Sequence, residues 1–290
     1  MTNRDFLTLR DLDRRDLLDI LAVSSRLKGT PLSQELAGKT LAMLFAKTST
    51  RTRVSFEVAL THLGGHAIHL NWAETNFVKG DLRDEAKVLG RYCDALMARV
   101  FTHQQVVDLA EGCERPVING MDDLYHPCQA LADLLTILEE KKRFTGVKVG
   151  WTGDGTNVCN SLLLGAELTG MEMTVATPTG FEPKVQTTAR VVSDPREAAV
   201  DADVLVTDSW VSLGLEHEKD MRLRLFQPYQ LNSDLLSLAK KDCIVLHCLP
   251  AQRGYEITSD VLDSPQSKVF QEAENRLHTA KALLLHLLVD

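Results

Sequence analysis

At 290 residues, 44% hydrophobic and 25% charged, the chain has the balance of a soluble globular protein and the length for two packed lobes. A net charge of −8 with no Lys/Arg block argues against nucleic acid as a main partner. Six cysteines without CxxC spacing predict reduced thiols, not a disulfide framework or a zinc site. The N-terminus carries acid early and has no apolar signal core, and the late apolar run 282–289 is broken by His286. Neither export nor a membrane span is therefore expected, and the cytoplasm is the default compartment.

Residues 6–28 alternate Leu/Ile with charges at helical period, predicting one or two surface helices before the Thr30-Pro31 break. Leu41-Ala42-Met43-Leu44-Phe45 is a continuous apolar run, as a buried parallel strand requires. Lys47-Thr48-Ser49-Thr50-Arg51-Thr52-Arg53 follows, and then Phe56, Ala59, Leu60 and Leu63 recur at helical spacing up to Gly64-Gly65. Hydroxyls and guanidiniums thus stand where a strand turns into a helix, whose first turn has unpaired N–H groups and a partial positive charge. Ser49, Thr50, Thr52 and one arginine there make a phosphate socket. Arg51 and Arg53 lie roughly 200° apart around a helix, so only one can face the socket. Arg53 is placed for a surface pair with Glu57.

A short strand at 66–70 leads to a polar segment, 71–81, which reads as a functional loop holding Trp72, Asn76 and Lys79. Helices are expected over 84–92 and 106–111, and strands over 95–98, ending at Arg99, and 116–119. The amphipathic pattern Leu131, Leu134, Leu135, Leu138 predicts a connecting helix from 129 to 142. A second series follows: strands at 147–151, 172–176, 204–207 and 244–246, a helix at 160–168, and a last helix at 274–288. Strands alternating with helices in both halves imply an α/β protein of two doubly wound parallel-sheet lobes joined by helices. The expected domains are 1–138, with the helix at 274–290 packing back on it, and 139–273.

Nearly every polar cluster lies just beyond a predicted strand, where such a fold puts its ligand. Arg99 ends one strand, and His126 and Gln129 stand one turn apart at a helix start with Pro127 between them. Asn157 follows Gly153-Asp154-Gly155, which lacks the third glycine of a dinucleotide turn. Asp208 follows the strand at 204–207, and His247-Cys248-Leu249-Pro250-Ala251 follows the strand at 244–246. There is no metal-ligand spacing and no P-loop, so neither a metal nor a cofactor is expected.

Ser49-Thr50-Arg51-Thr52-Arg53, His126-Pro127-Cys128-Gln129-Ala130-Leu131-Ala132-Asp133, Asp208-Ser209-Trp210-Val211-Ser212-Leu213-Gly214 and His247-Cys248-Leu249-Pro250-Ala251 together resemble the aspartate/ornithine carbamoyltransferase family, nearest its ornithine branch. The resemblance runs in order from the first helix to the last. It implies transfer of the carbamoyl group of carbamoyl phosphate to the side-chain amine of L-ornithine, in a site in the cleft between the lobes. The first domain would bind carbamoyl phosphate and the second ornithine. Ser49, Thr50, Arg51 and Thr52 would hold the phosphate. Arg99, His126 and Thr52 would surround the carbonyl oxygen, and Gln129 the amino group, which Cys248 and Leu249 would meet through main-chain carbonyls. Arg276 matches the family's late arginine. Asn157, Asp208, Ser212 and Leu213 would grip ornithine. A homotrimer is implied, with the 71–81 loop and its Asn76 reaching a neighbouring subunit's site.

Three departures stand out. Ser212-Leu213-Gly214 replaces the family's Ser-Met-Gly, Thr156 replaces an asparagine, and the chain is short by about one helix, ~10–15 residues, between 183 and 191. The alternatives are a carbamoyltransferase for putrescine, lysine or an acylated ornithine, and a catalytically silent anion-binding homologue.

Overall fold

The computed structural model describes residues 5–29, 32–211 and 216–289. The chain forms two compact units, one of Met1–Leu135 with Glu274–Asp290 and one of Thr136–Ala273. Among the described residues no helix is long and apolar enough to cross a membrane.

In the first unit α1 (Arg14–Gly29) leads to β1 (Thr40–Phe45), α2 (Thr50–His62), β2 (His66–Asn71), α3 (Leu82–Tyr92), β3 (Ala95–Arg99), α4 (His103–Gly112) and β4 (Val117–Met121). The sheet is parallel throughout, in the order β2-β1-β3-β4. Its central strands are buried along their length, which is why they read as unbroken apolar runs. Strand order reverses between β1 and β3, so the loops leaving these two strands border the crevice where such sheets bind ligands.

Residues 6–28 are not helical from the start. Phe6 pairs with Ile118 instead, and its backbone exchanges 2.8 Å hydrogen bonds with Val117 and Asn119. The segment satisfies the open edge of β4, and that outweighs its helical spacing. Segment 71–81 is more than a polar loop: it forms two 3-10 turns, Trp72–Glu74 and Asn76–Val78, with Trp72 packed on a buried Phe77 at 5.6 Å.

The chain passes through α5 (Pro127–Lys141) into the second unit: β5 (Lys148–Thr152), α6 (Asn157–Thr169), β6 (Glu172–Ala176), β7 (Arg190–Val192), α7 (Pro195–Ala199), β8 (Val204–Thr207), α8 (Lys219–Phe226), α9 (Ser233–Leu236), β9 (Ile244–His247) and α10 (Ser259–Leu262). This sheet is also parallel, ordered β7-β6-β5-β8-β9, and reverses between β5 and β8. The β6–β7 crossover contains no helix, in keeping with the short sequence there. A cavity of about 570 Å³ opens beside it, lined among others by Lys148, Glu172 and Arg190, the first residues of β5, β6 and β7. It therefore lies at the opposite ends of the strands from the polar clusters.

The last helix, α11 (Val269–Leu288), starts five residues before the expected 274. Its middle is buried all round, at Ala280, Lys281, Ala282, Leu283 and Leu284.

Candidate active site

Ser49 caps α2: its backbone is extended, and its hydroxyl accepts from the Thr52 N–H at 3.3 Å. The guanidinium of Arg99, from the end of β3, reaches across the strand reversal and donates to the same hydroxyl at 3.3 Å. A bulge aims that arginine. Ala98 pairs with Asn119 but Arg99 with Met121, so Gly120 is the extra residue on β4. A Cβ there would sit 2.5 Å from Met97 Sδ and 3.2 Å from the Ala98 carbonyl, so a larger residue would have to displace the Met97 side chain and press on β3.

Arg276, on α11, donates to Gln129 Oε1 at 2.7 Å and to Thr52 Oγ1 at 3.1 Å. Gln129 in turn donates to Asp133 at 2.8 Å, fixing which end of its amide faces Arg276. Thr52, Arg99, His126, Gln129 and Arg276 are all buried, while Arg51 is half-buried and Thr50 exposed. Arg53 turns away into the expected pair with Glu57, at 2.9 Å. Burial, and then Arg276, Arg99 and Arg51, push the pKa of His126 well below the ordinary value. A neutral imidazole beside three guanidiniums and a helix N-terminus is a set of groups that can receive a multiply charged anion and offer it one neutral hydrogen bond.

In the second unit the loops after β5 and β8 again flank a strand reversal, and Thr156 Oγ1 donates to Asp208 Oδ2 across it at 3.3 Å. Asn157 is the first residue of α6, three residues earlier than the helix expected at 160. Cys248 Sγ donates to Asp208 Oδ1 at 3.0 Å, so the acid after β8 and the thiol after β9 form one group. The turn carrying Cys248 is held from behind. Leu249 sits at φ +57, and its N–H donates to His247 Nδ1 at 2.9 Å. A nitrogen that accepts has no proton, so the proton is on Nε2, which donates to the buried Glu256 at 3.0 Å. Glu256 also accepts from the Gln252 N–H, and the His247 N–H is held by Glu272 at 2.9 Å.

Asp208, His247 and Cys248 offer ligand atoms within 4.8 Å of one another, a cluster that their spacing in the sequence does not reveal. The donor set suits a resident metal poorly, because both ring nitrogens of His247 already hold the turn.

The fold thus joins Ser49, Thr52, Arg99, Gln129 and Arg276 by hydrogen bonds, with Arg51 and His126 in the same electrostatic cluster. Asp208 and Cys248 are joined in the other unit. Asn76 is exposed, and its carbonyl accepts from the N–H groups of Lys79 and Gly80. Ser212 and Leu213 lie outside the described residues.

Sequence reading missed Asp133, Glu256 and Arg222. Buried Arg222 bonds Asp154 at 2.6 Å and the Trp210 carbonyl at 3.1 Å, tying the loop after β5 to the loop after β8. Burial raises the Asp154 pKa, and Arg222 opposes that rise. Spacing gives no hint of such pairs. The one available signal was Asp154 between two glycines just past a strand.

Residues 4–139 match the family description "Aspartate/ornithine carbamoyltransferase, carbamoyl-P binding domain", and residues 145–287 match "Aspartate/ornithine carbamoyltransferase, Asp/Orn binding domain". A protein of Methanosarcina acetivorans named ornithine carbamoyltransferase is 48% identical over 299 residues, covering 98% of this chain and 99% of its own. One of Pyrococcus furiosus named "Ornithine carbamoyltransferase, anabolic" is 47% identical over 303 residues, covering 98% and 96%. The solved ornithine carbamoyltransferase from Pyrococcus furiosus superposes with a TM-score of 0.95 at 46% identity, covering 99% of this chain and 97% of that one. By sequence over both halves and by fold, this chain belongs to the aspartate/ornithine carbamoyltransferase family.

Proposed function

We infer that this chain is an ornithine carbamoyltransferase, moving the carbamoyl group of carbamoyl phosphate to the side-chain amine of L-ornithine to give L-citrulline and phosphate, in arginine biosynthesis. The observation that carries the reading is the trio Arg51, Arg99 and Arg276 around a neutral His126 at the start of α2. Ser49, Thr50, Arg51 and Thr52 hold the phosphate. Arg99, His126 and Thr52 face the carbonyl oxygen, where charge builds as the amine attacks. One preorganised donor of that kind contributes ~3 kcal/mol to the transition state. Gln129, whose oxygen accepts from Arg276, has a second lone pair for the carbamoyl amino group, which the main-chain carbonyls of Cys248 and Leu249 also meet. Asn157, Asp208, Ser212 and Leu213 hold ornithine, and Asp208 with Cys248 receives the ammonium while it loses its proton. Lining up the two reactants adds on the order of 7 kcal/mol or more. Phosphate leaves as the C–N bond forms, and no step calls on a metal or cofactor.

The functional unit we propose is a cytoplasmic homotrimer in which the 71–81 loop, with Asn76, completes the phosphate site of a neighbouring subunit. The exposure of Asn76 supports this. Phosphate release from carbamoyl phosphate with ornithine, putrescine, lysine and N-acetylornithine tests the assignment. Ornithine is expected to give the highest kcat/KM, since putrescine leaves carboxylate donors unpaired and lysine places its amine about 1 Å too far, a displacement that can cost ~100-fold. Another amine equalling ornithine would refute the branch.

A further inference from the structure

We propose that His103 and Asp122 are a positioning pair that sets the turn delivering His126 to the reacting carbonyl; this rests on the carbamoyl-transfer reading above. Neither residue belongs to a site motif. Asp122 is wholly buried, between the end of β4 and His126. Its Oδ1 accepts from the N–H groups of Leu124 at 2.7 Å and Tyr125 at 2.6 Å. Its Oδ2 accepts from Asn119 Nδ2 at 2.8 Å and from His103 Nδ1 at 2.7 Å. One carboxylate therefore closes the turn on itself and ties it to the first residue of α4.

Other contacts make the same link. The His103 N–H donates to Asp123 Oδ1 at 2.8 Å, and the His103 and Tyr125 rings meet edge to face at 4.8 Å. Met121 enters the turn at φ +154, a region that residues other than glycine rarely occupy, so the backbone has to be held there. Asn119 Oδ1 accepts its N–H at 3.0 Å, and the Val100 N–H donates to its carbonyl at 3.1 Å. Tyr125 then delivers His126, whose carbonyl accepts from Gln129 and Ala130 and so opens α5. Every residue from Met121 to His126 is thus fixed to something, and His103 is the tie from α4.

Plain capping does not account for the histidine. Thr102 and Gln105 already complete a capping box on α4, and a cation at a helix N-terminus opposes the helix dipole. The hydrogen bond that His103 donates to Asp122 nonetheless raises the His103 pKa; burial opposes it, and the charges of Asp122, Asp123 and Asp11 add to it. The ring nitrogen of His103 thus stands 2.7 Å from a wholly buried carboxylate oxygen, a contact that a protonated ring strengthens.

Steady-state kinetics of His103→Ala and His103→Asn, with both substrates, test the pair. In His103→Ala kcat is expected to fall about tenfold or more, since a displacement near 1 Å can cost ~100-fold. KM for carbamoyl phosphate should stay within about threefold, because Ser49, Thr52, Arg99 and Arg276 keep their own contacts. Asparagine puts an amide nitrogen where Nδ1 stood and should recover most of kcat. Unchanged kcat in the alanine variant, a loss wholly in KM, or no recovery with asparagine would overturn the proposal. Should the alanine variant not fold, NMR titration of wild-type His103 decides: a midpoint at or below the ordinary ~6.5 overturns the pair. An inactive wild type would refute the functional reading instead, and the titration would still judge the pair.

Discussion

Replacing Glu256 separates what holds the Cys248 turn from what reacts in it. Its Oε1 takes the Nε2 proton of His247, and His247 takes the Leu249 N–H, so one acid sets a tautomer and the tautomer sets the turn. In Glu256→Ala the His247 Nε2–H stays buried without an acceptor, which costs about 1–3 kcal/mol. The vacated volume adds about 1 kcal/mol more. The Gln252 N–H also loses its acceptor, but Gln252 is exposed and water can replace it. The total is about 2–4 kcal/mol, read as a shift in the urea midpoint at constant m. Glu256→Gln keeps an acceptor in place and forfeits the charge assistance, about 1 kcal/mol. Both variants should lower kcat in the same order, because Leu249, held at φ +57, relaxes when its N–H is released. Stability within 0.5 kcal/mol of wild type for Glu256→Ala would refute the hydrogen-bond chain. A full loss of stability with unaltered kcat would refute its link to the chemistry.

Arg276→Lys should raise KM for carbamoyl phosphate about 10–100-fold. An ammonium cannot bridge Gln129 and Thr52 as the guanidinium fork does, and a hydrogen bond to a charged group contributes about 1.5–3 kcal/mol. Isothermal titration with carbamoyl phosphate checks it, and near-normal affinity counts against the socket. His126 predicts a sign in the pH dependence of stability. With its folded pKa lowered, the unfolded chain takes up a proton below about 6.5 that the folded chain refuses, so stability falls as pH falls through that region. His126→Asn should flatten this acid slope in urea titrations between about pH 5 and 7, and an unchanged slope would refute the neutral assignment. His103 has the opposite sign: its stabilisation is present below about 6.5 and is lost as pH rises through its raised pKa.

The elements read correctly from sequence are those whose burial leaves an unbroken apolar run. The strands at 41–45, 204–207 and 244–246 lie where the runs 41–45, 204–206 and 244–246 stand, because a parallel strand covered on both faces needs no polar alternation. Besides α8, with eight residues, the elements not read are short. β7 has three residues, α7 five, and α9 and α10 four each, too few to establish any period. Phe6 was misread because its partner is more than a hundred residues away. The first-unit arginines were legible because they stand beside a strand end or a helix start. Glu256 and Asp122 were not, because an acid's role depends on a histidine whose position only the fold supplies.

The two polar groups share one geometric origin. In each sheet the strand order reverses once near the middle, between β1 and β3 in one and between β5 and β8 in the other. At a reversal the adjacent connections leave toward opposite faces, and the carboxyl ends of the two strands open a crevice. Ser49 and Arg99 meet across the first reversal, and Thr156 and Asp208 across the second. Each of these bonds joins residues about 50 positions apart, so no local motif encodes either one. Topology alone brings them together. A change that shifts one strand by a single residue would move a site residue to the other face while leaving every motif intact. The β4 bulge at Gly120 is one such shift, and it sets the register at which Arg99 leaves β3.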